Sequence, residues 1–133
     1  MTRPADDARF KERESMVVAQ IVARGVSDSL TLDAMRAVPR HQFVLEPFQT
    51  AAYRDHPVPI GHGQTISQPY IVVFMTAALG LTGEETVLEV GAGCGYQSVV
   101  LSFVSRRVFA IEIVELLAAE TKERLASLGY SNV

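Results

Sequence analysis

Apolar residues in the first part of the chain recur at helical spacing. Those between residues 5 and 23 fall near one helical face, and Gly25 follows at a position where a helix commonly ends. The segment SDSLTLDAMRAVPR predicts a second, short helix, which Ser29 or Thr31 could cap and which Pro39 ends. The chain is therefore predicted to begin with a helical segment.

Residues 40–63 lack a regular period. This stretch contains three prolines and three aromatic residues, which indicates an ordered loop with brief strands. A third helix is predicted from about Ser67 to Leu79, after the segment GHGQTISQPY. Because Ser67 stands just before Gln68 and Pro69, and proline is favoured in a first helical turn, we expect Ser67 to be the N-cap.

The period changes after Gly83. ETVLEV (residues 85–90) and RRVFAIEI (residues 106–113) are compact runs typical of buried parallel strands. Helices are predicted after each of them, over residues 96–104 and 114–128. This alternation predicts a βαβ unit and therefore the start of a doubly wound α/β sheet.

Composition suits one soluble domain with a modest core. The chain has 133 residues, of which 48% are hydrophobic, and a formal net charge of −3, which argues against nucleic acid as a main partner. Its apolar runs are too short to cross a membrane, and its charged N-terminus is unlike a secretory signal. With Cys94 as the single cysteine, we expect no internal disulfide, no metal site and a reducing, cytoplasmic location.

The segment VLEVGAGCGYQS carries the clearest chemical signal. Gly91, Gly93 and Gly95 lie between a predicted strand and a predicted helix, where bare backbone lets a ligand approach a helix N-terminus. Glu89 precedes them, and Glu112 ends the next strand, where an acid can accept hydrogen bonds from ribose hydroxyls. Together these features favour an adenosine ligand that carries a positive centre and no phosphates. The alternative is a tight turn beside a solvated strand end.

Several motifs together resemble a known family. VLEVGAGCGYQS, with VFAIE after it, resembles the first two motifs of class I methyltransferases that use S-adenosylmethionine. AMRAVPRHQFV, AYRDHPVPIGHGQTISQPYIVVFM and LGYSNV narrow the resemblance to the protein-L-isoaspartate O-methyltransferase family. The similarity covers nearly the whole chain from about Met16, and GQTISQP is its most specific part.

The resemblance implies a fold, a reaction and a cofactor. The expected fold is the N-terminal part of a Rossmann-like class I methyltransferase, α/β in class, with a helical segment before it. The expected reaction is transfer of a methyl group from S-adenosylmethionine to the free carboxyl of isoaspartyl residues in damaged proteins or peptides. A carboxylate is already ionised at neutral pH, so this reaction needs alignment of its reactants and no general base.

The resemblance also implies roles for particular residues. The cofactor loop falls on Glu89, Gly91, Gly93 and Gly95, with ribose contacts at Glu112. Thr65, Ile66 and Ser67 take the place of the segment that lines the active site, with Ser67 against the substrate carboxylate. Cys94 stands where the family more often has Ser or Thr, and His62 is interpreted as a loop histidine.

The resemblance divides the chain into two parts. Residues 1–82 correspond to the helical, substrate-side segment, and residues 83–133 to the first βαβα portion of the cofactor domain. Family members are considerably longer, so the sequence predicts a chain truncated after the second strand. A sheet with only two strands is expected to leave an apolar face and an unpaired edge exposed, and copies could associate through that edge. The alternatives are an inactive or regulatory fragment, or a related carboxyl methyltransferase with another substrate.

Overall fold

The structure, a computed structural model, describes residues 9–133 and begins with a helical segment. Helix α1 spans Phe10–Met16 and continues through a π-helical turn at Val17–Ile21 and a 3-10 turn at Val22–Arg24. Gly25, with φ of +91°, ends the segment in the left-handed conformation that glycine adopts without strain. The predicted first helix is confirmed over this range, whereas its predicted residues 5–8 lie outside the described residues.

Helix α2 spans Ser29–Ala37, and its cap differs from the prediction. Asp28 is the N-cap, and its carboxylate accepts a hydrogen bond from the backbone N–H of Thr31 at 3.2 Å. The prediction that Ser29 or Thr31 caps this helix is therefore wrong. A carboxylate fits this position because it both accepts the free N–H and complements the positive end of the helix dipole.

The irregular stretch after α2 contains two 3-10 helices, Arg40–Phe43 and Glu46–Ala51, which the sequence pattern did not predict. It ends in an antiparallel hairpin of β1 (Val58–Gly61) and β2 (Gln64–Ile66), which confirms the expected brief strands.

Helix α3 spans Pro69–Ala78 and begins two residues later than the predicted start at Ser67. Its N-cap is Gln68, which is extended (φ −49°, ψ 139°) and makes no side-chain capping bond within residues 9–133. Proline disfavours the helical conformation in the residue before it, so Gln68 must be the boundary and Ser67 lies outside the helix. The prediction of Ser67 as N-cap is wrong.

The second part of the described chain has the predicted alternation of strands and helices. It consists of β3 (Thr86–Val90), α4 (Tyr96–Val104), β4 (Arg107–Ile111) and α5 (Glu115–Ser127). The two strands are parallel neighbours. Their carboxyl ends therefore lie at the same edge, and the loops that follow them meet there.

The two faces of this sheet differ. The register pairs Leu88 with Phe109 and Val90 with Ile111, so these four side chains share one face. They are 53–76% exposed, and within residues 9–133 no element covers them. This is the exposed apolar face expected of a sheet with two strands, while Val108 on the other face is buried against the core.

One hydrophobic core joins both parts of the described chain. It includes Met35 and Phe43 from the first part and Tyr96, Val100 and Leu117 from the second. The rings of Phe43 and Tyr96 meet edge to face at 5.7 Å. No helix in residues 9–133 is long and apolar enough to span a bilayer.

The cap of α2 gives a stability prediction. Asp28→Ala removes the acceptor for the Thr31 N–H and should lower the free energy of unfolding by about 0.5–2 kcal/mol. Ser29→Ala, one residue along, removes no capping bond and should change it by less than about 0.5 kcal/mol. Urea titration of both variants measures the difference. Equal losses would show that Asp28 does not cap the helix.

Candidate functional site

A cleft of about 340 Å³ lies between the exit of the hairpin and the carboxyl end of β3. On one side it is lined by Thr65–Ser67 and by side chains of α3, and on the other by Glu89 and the turn after β3. Six of the eight residues proposed from the sequence line it: Thr65, Ile66, Ser67, Glu89, Gly91 and Gly93. The fold therefore brings together segments that are more than twenty positions apart in the sequence.

The glycine loop is held by β4 and α5. The backbone N–H groups of Gly91 and Ala92 donate to the carbonyl oxygen of Ile111, at 2.8 and 3.0 Å. From α5, the Thr121 hydroxyl donates to the Gly93 carbonyl at 2.5 Å and the Arg124 guanidinium to the Cys94 carbonyl at 3.0 Å. Bonds to β4 and α5 therefore hold the loop in place without a ligand.

Gly95 is outside the cleft lining, and packing explains why it is glycine. It is the N-cap of α4 with φ of +90°. A Cβ atom there would lie 2.9 Å from Thr121 Cγ2 and 3.2 Å from a methyl carbon of Leu125. Any side chain would push α5 away from the loop. The sequence-based role of Gly95 as a cofactor residue remains a prediction, and the structure assigns it this packing role.

Glu112 lies beside the glycine loop, as expected for the end of a parallel neighbour. Its Oε1 accepts the Gly93 N–H at 2.9 Å, and its Oε2 accepts the Val114 N–H at 3.0 Å. Both bonds lower the pKa of Glu112 from its ordinary value, and the bond from Val114 has the larger effect. The carboxylate keeps unused lone pairs, since each oxygen can accept two hydrogen bonds. It faces a second depression along β4 and α5, of about 710 Å³.

The pKa of Glu89 is shifted in the direction opposite to that of Glu112. Its side chain lies on the inner face of β3, where the Ser98 hydroxyl donates to it. Burial raises the pKa of Glu89 to about 7, and the nearby charge of Glu112 adds to the increase, while the bond from Ser98 opposes it. Near neutral pH this carboxyl is therefore poised between its neutral and charged forms, and a cation in the cleft would favour the charged one.

The three residues of the TIS segment are placed differently. Thr65 and Ser67 are exposed, while the side chain of Ile66 is buried in the core. The hydroxyl of Ser67 makes no hydrogen bond within the described range, residues 9–133. Ser67 is thus free to bond a ligand, and Ile66 anchors the segment.

Sequence reasoning missed the buried residue beneath this segment. Arg40 is fully buried and donates a hydrogen bond from Nη2 to the carbonyl oxygen of Ser67 at 2.8 Å. The only sequence signal was an arginine in a mostly apolar stretch, AVPRHQFV. Among residues 9–133, no group of three or more His, Cys, Asp or Glu side chains is arranged to hold a metal ion.

Comparisons with known proteins agree on one family. Residues 11–133 match the family model described as protein-L-isoaspartate(D-aspartate) O-methyltransferase (PCMT). A protein-L-isoaspartate O-methyltransferase of Picosynechococcus sp. is 51% identical over 121 residues, which cover 91% of this chain and 54% of the relative. One of Synechococcus sp. is 52% identical over 129 residues, 97% of this chain and 53% of the relative. The chain spans about half the length of these curated relatives.

Solved structures show the same fold. A protein-L-isoaspartate O-methyltransferase superposes with a TM-score of 0.79 at 27% identity, over 91% of this chain and 40% of that one. A Plasmodium falciparum chain named for the same activity, solved in complex with S-adenosyl-L-homocysteine, gives a TM-score of 0.73 at 25% identity, over 86% and 55%. The family match, relatives half identical in sequence and these shared folds show that the chain belongs to the protein-L-isoaspartate(D-aspartate) O-methyltransferase family.

Proposed function

We propose that this chain binds S-adenosylmethionine and serves the transfer of its methyl group to the free carboxyl of isoaspartyl residues. The observation that carries the proposal is that Thr65–Ser67 and the glycine loop line one cleft. The relatives are named for this reaction, and the Plasmodium falciparum structure holds S-adenosyl-L-homocysteine, the demethylated form of the cofactor.

The residues after β3 fit the proposed cofactor. A Cβ built on Gly91 meets no atom within 4 Å, so bare backbone faces open space at that point. Glu112 is held in place by backbone N–H groups and has lone pairs left for ribose hydroxyls. Glu89 supplies a partly buried carboxyl, which favours a cationic ligand over a phosphate. When bound, S-adenosylmethionine supplies a methyl group on a positively charged sulfur.

The acceptor side needs little beyond orientation. An isoaspartyl carboxyl has a pKa near 4, so it is ionised at neutral pH and can attack directly. We assign to the Ser67 hydroxyl the role of hydrogen-bond donor to this carboxylate, because it is exposed in the cleft and makes no other bond within residues 9–133. Such alignment can lower a barrier by roughly 7–11 kcal/mol.

Other sequence-based expectations stay predictions. We propose a cytoplasmic location, which rests on the single, buried Cys94. Association of copies through the exposed edge of the β3–β4 sheet is proposed, because this sheet has two strands within residues 9–133 and its apolar residues Leu88, Val90, Phe109 and Ile111 are exposed. The lack of a nucleic-acid partner rests on net charge alone.

The function is tested by methyl transfer to a synthetic isoaspartyl peptide, with the matching aspartyl peptide as control. The assay uses the 133-residue chain alone and joined to the remaining part of the Picosynechococcus relative, with that part alone as blank. Ser67→Ala should raise KM for the peptide about tenfold or more, since a bond to a charged group is lost, and should leave the melting temperature unchanged. Ser127→Ala is the surface control.

The assay separates the proposal from its rivals. Equal use of both peptides would indicate another carboxyl substrate. Cofactor binding without transfer in either form would indicate a binding module. Unchanged KM in Ser67→Ala would remove Ser67 from the acceptor site.

The ribose assignment gives a binding prediction. Glu112→Ala should weaken binding of S-adenosyl-L-homocysteine by about 1–3 kcal/mol, measured by calorimetry, because charge-assisted hydrogen bonds are lost. Glu120→Ala, on the exposed side of α5, should leave the affinity unchanged. An unaltered affinity in Glu112→Ala would contradict the assignment.

The poised carboxyl of Glu89 gives a pH prediction. A sulfonium ligand favours the ionised form, and with a pKa of about 7 that form rises from about a tenth at pH 6 to about nine tenths at pH 8. Affinity for S-adenosylmethionine should therefore rise with pH, by up to about tenfold over this range. Glu89→Gln cannot ionise and should flatten the profile. The same slope in wild type and Glu89→Gln would contradict this role.

A further inference from the structure

The position of Ser67 has to be fixed by something other than helix capping. It lies outside α3, and its hydroxyl makes no hydrogen bond within residues 9–133. Two contacts hold it instead, one to the carbonyl oxygen of Ser67 itself and one to the side chain of the next residue, Gln68. One comes from inside the protein and the other from its surface.

The inner contact is made by the guanidinium of Arg40. Its Nε donates to the carbonyl oxygen of Ala52 at 2.6 Å, and its Nη2 to that of Ser67 at 2.8 Å. The planar fork of arginine reaches both carbonyls from one buried position, which the single ammonium of lysine cannot do in the same geometry. Arg40 thereby ties the TIS segment to the end of the second 3-10 helix.

Burying the guanidinium of Arg40 costs free energy, which indicates that this contact has a role other than stability. Arg40 is fully buried, and among residues 9–133 its Nη1 makes no hydrogen bond and no carboxylate pairs with it. The guanidinium lies 4.9 Å from the ring centroid of Tyr96, at the start of α4. Burial lowers the pKa of Arg40 from its ordinary value. A buried charge without an ion pair stabilises a fold poorly compared with apolar packing, so its geometry points to another purpose.

The outer contact is made by Asp55. Its Oδ1 accepts a hydrogen bond from Gln68 Nε2 at 2.6 Å, and the same oxygen accepts one from Arg24 Nη1 at 2.9 Å. The bonds from Arg24 and then Gln68 lower the pKa of Asp55 to about 2, so it stays ionised throughout any useful assay range. Arg24 also lies 5.2 Å from the ring centroid of Tyr70. The residue after Ser67 is thus tied to the surface.

We propose that Arg40 and Asp55 are positioning residues that hold Ser67 and Gln68 rigidly between them for binding of the methyl acceptor. Neither touches the reacting atoms. Arg40 acts through the Ser67 carbonyl and Asp55 through the Gln68 side chain. The acceptor part of this proposal rests on the proposed function, whereas the rigidity of the segment does not.

The first measurement is ¹⁵N relaxation of the Ser67 and Gln68 amides in the 133-residue chain. These amides should be rigid in wild type and mobile on the nanosecond scale in Arg40→Lys and Asp55→Ala. Arg13→Lys is the control for Arg40, since Arg13 is also buried and donates to the Arg36 carbonyl and the Tyr53 hydroxyl. Glu14→Ala is the control for Asp55, because its ion pair with Arg36 is similarly exposed. Both controls should leave the two amides rigid.

The second measurement is affinity for an isoaspartyl peptide in the presence of S-adenosyl-L-homocysteine. Arg40→Lys should weaken it about tenfold and Asp55→Ala a few-fold, with cofactor affinity changed less than about threefold. Both controls should retain wild-type peptide affinity even where they lower the melting temperature.

Each outcome decides the proposal. If Arg40→Lys does not fold, the surface variant Asp55→Ala still tests the segment. Rigid amides in Asp55→Ala, or in a folded Arg40→Lys, would overturn the positioning role. Mobile amides with unchanged peptide affinity would overturn the acceptor part. A wild-type chain that binds neither ligand would overturn the proposed function, and the relaxation data would then judge the positioning role separately.

Discussion

The buried guanidinium of Arg40 is the contact on which the site's geometry depends. It bonds the carbonyls of Ala52 and Ser67 and lies near the ring of Tyr96, so it touches the irregular stretch, the TIS segment and the start of α4. The contacted residues Ala52, Ser67 and Tyr96 lie 15 and 29 positions apart in the sequence, and the TIS segment that lines the cleft is held where they meet. Because burying this charge costs free energy, the surrounding backbone must supply the carbonyls that satisfy it.

Local patterns predicted the second part of the described chain well. The expected helix at residues 96–104 is the observed Tyr96–Val104, and both strands lie within their predicted ranges. The proximity of Glu112 to the glycine loop followed from one further assumption, parallel pairing, because parallel strands end at one edge. Such features depend on residues close in sequence and on a general rule of sheet topology.

The errors arose where distant or competing interactions decide. Ser67 has a good capping side chain, but the conformational restriction that Pro69 places on Gln68 moves the helix boundary by one residue. The N-cap of α2 is Asp28 and not Ser29, because the Asp28 carboxylate accepts the Thr31 N–H. The role of Arg40 could not be predicted, because its acceptors lie 12 and 27 positions away and a sequence pattern shows only an arginine among apolar residues.

The charges of the cleft have a consequence for the proposed reaction. The acids Glu89 and Glu112 lie beside the glycine loop. On the other side of the cleft, the cation Arg40 donates a hydrogen bond to the carbonyl oxygen of Ser67. This polarity matches a cationic donor and an anionic acceptor. Methyl transfer between them converts both into neutral groups, so the same charges hold the reactants more tightly than the products. Favourable binding of charged reactants also deepens the ground state, and on its own it would slow the chemical step. The acceleration must therefore come from alignment of oxygen, carbon and sulfur, which makes the rigidity of Ser67 the property that matters most on the acceptor side.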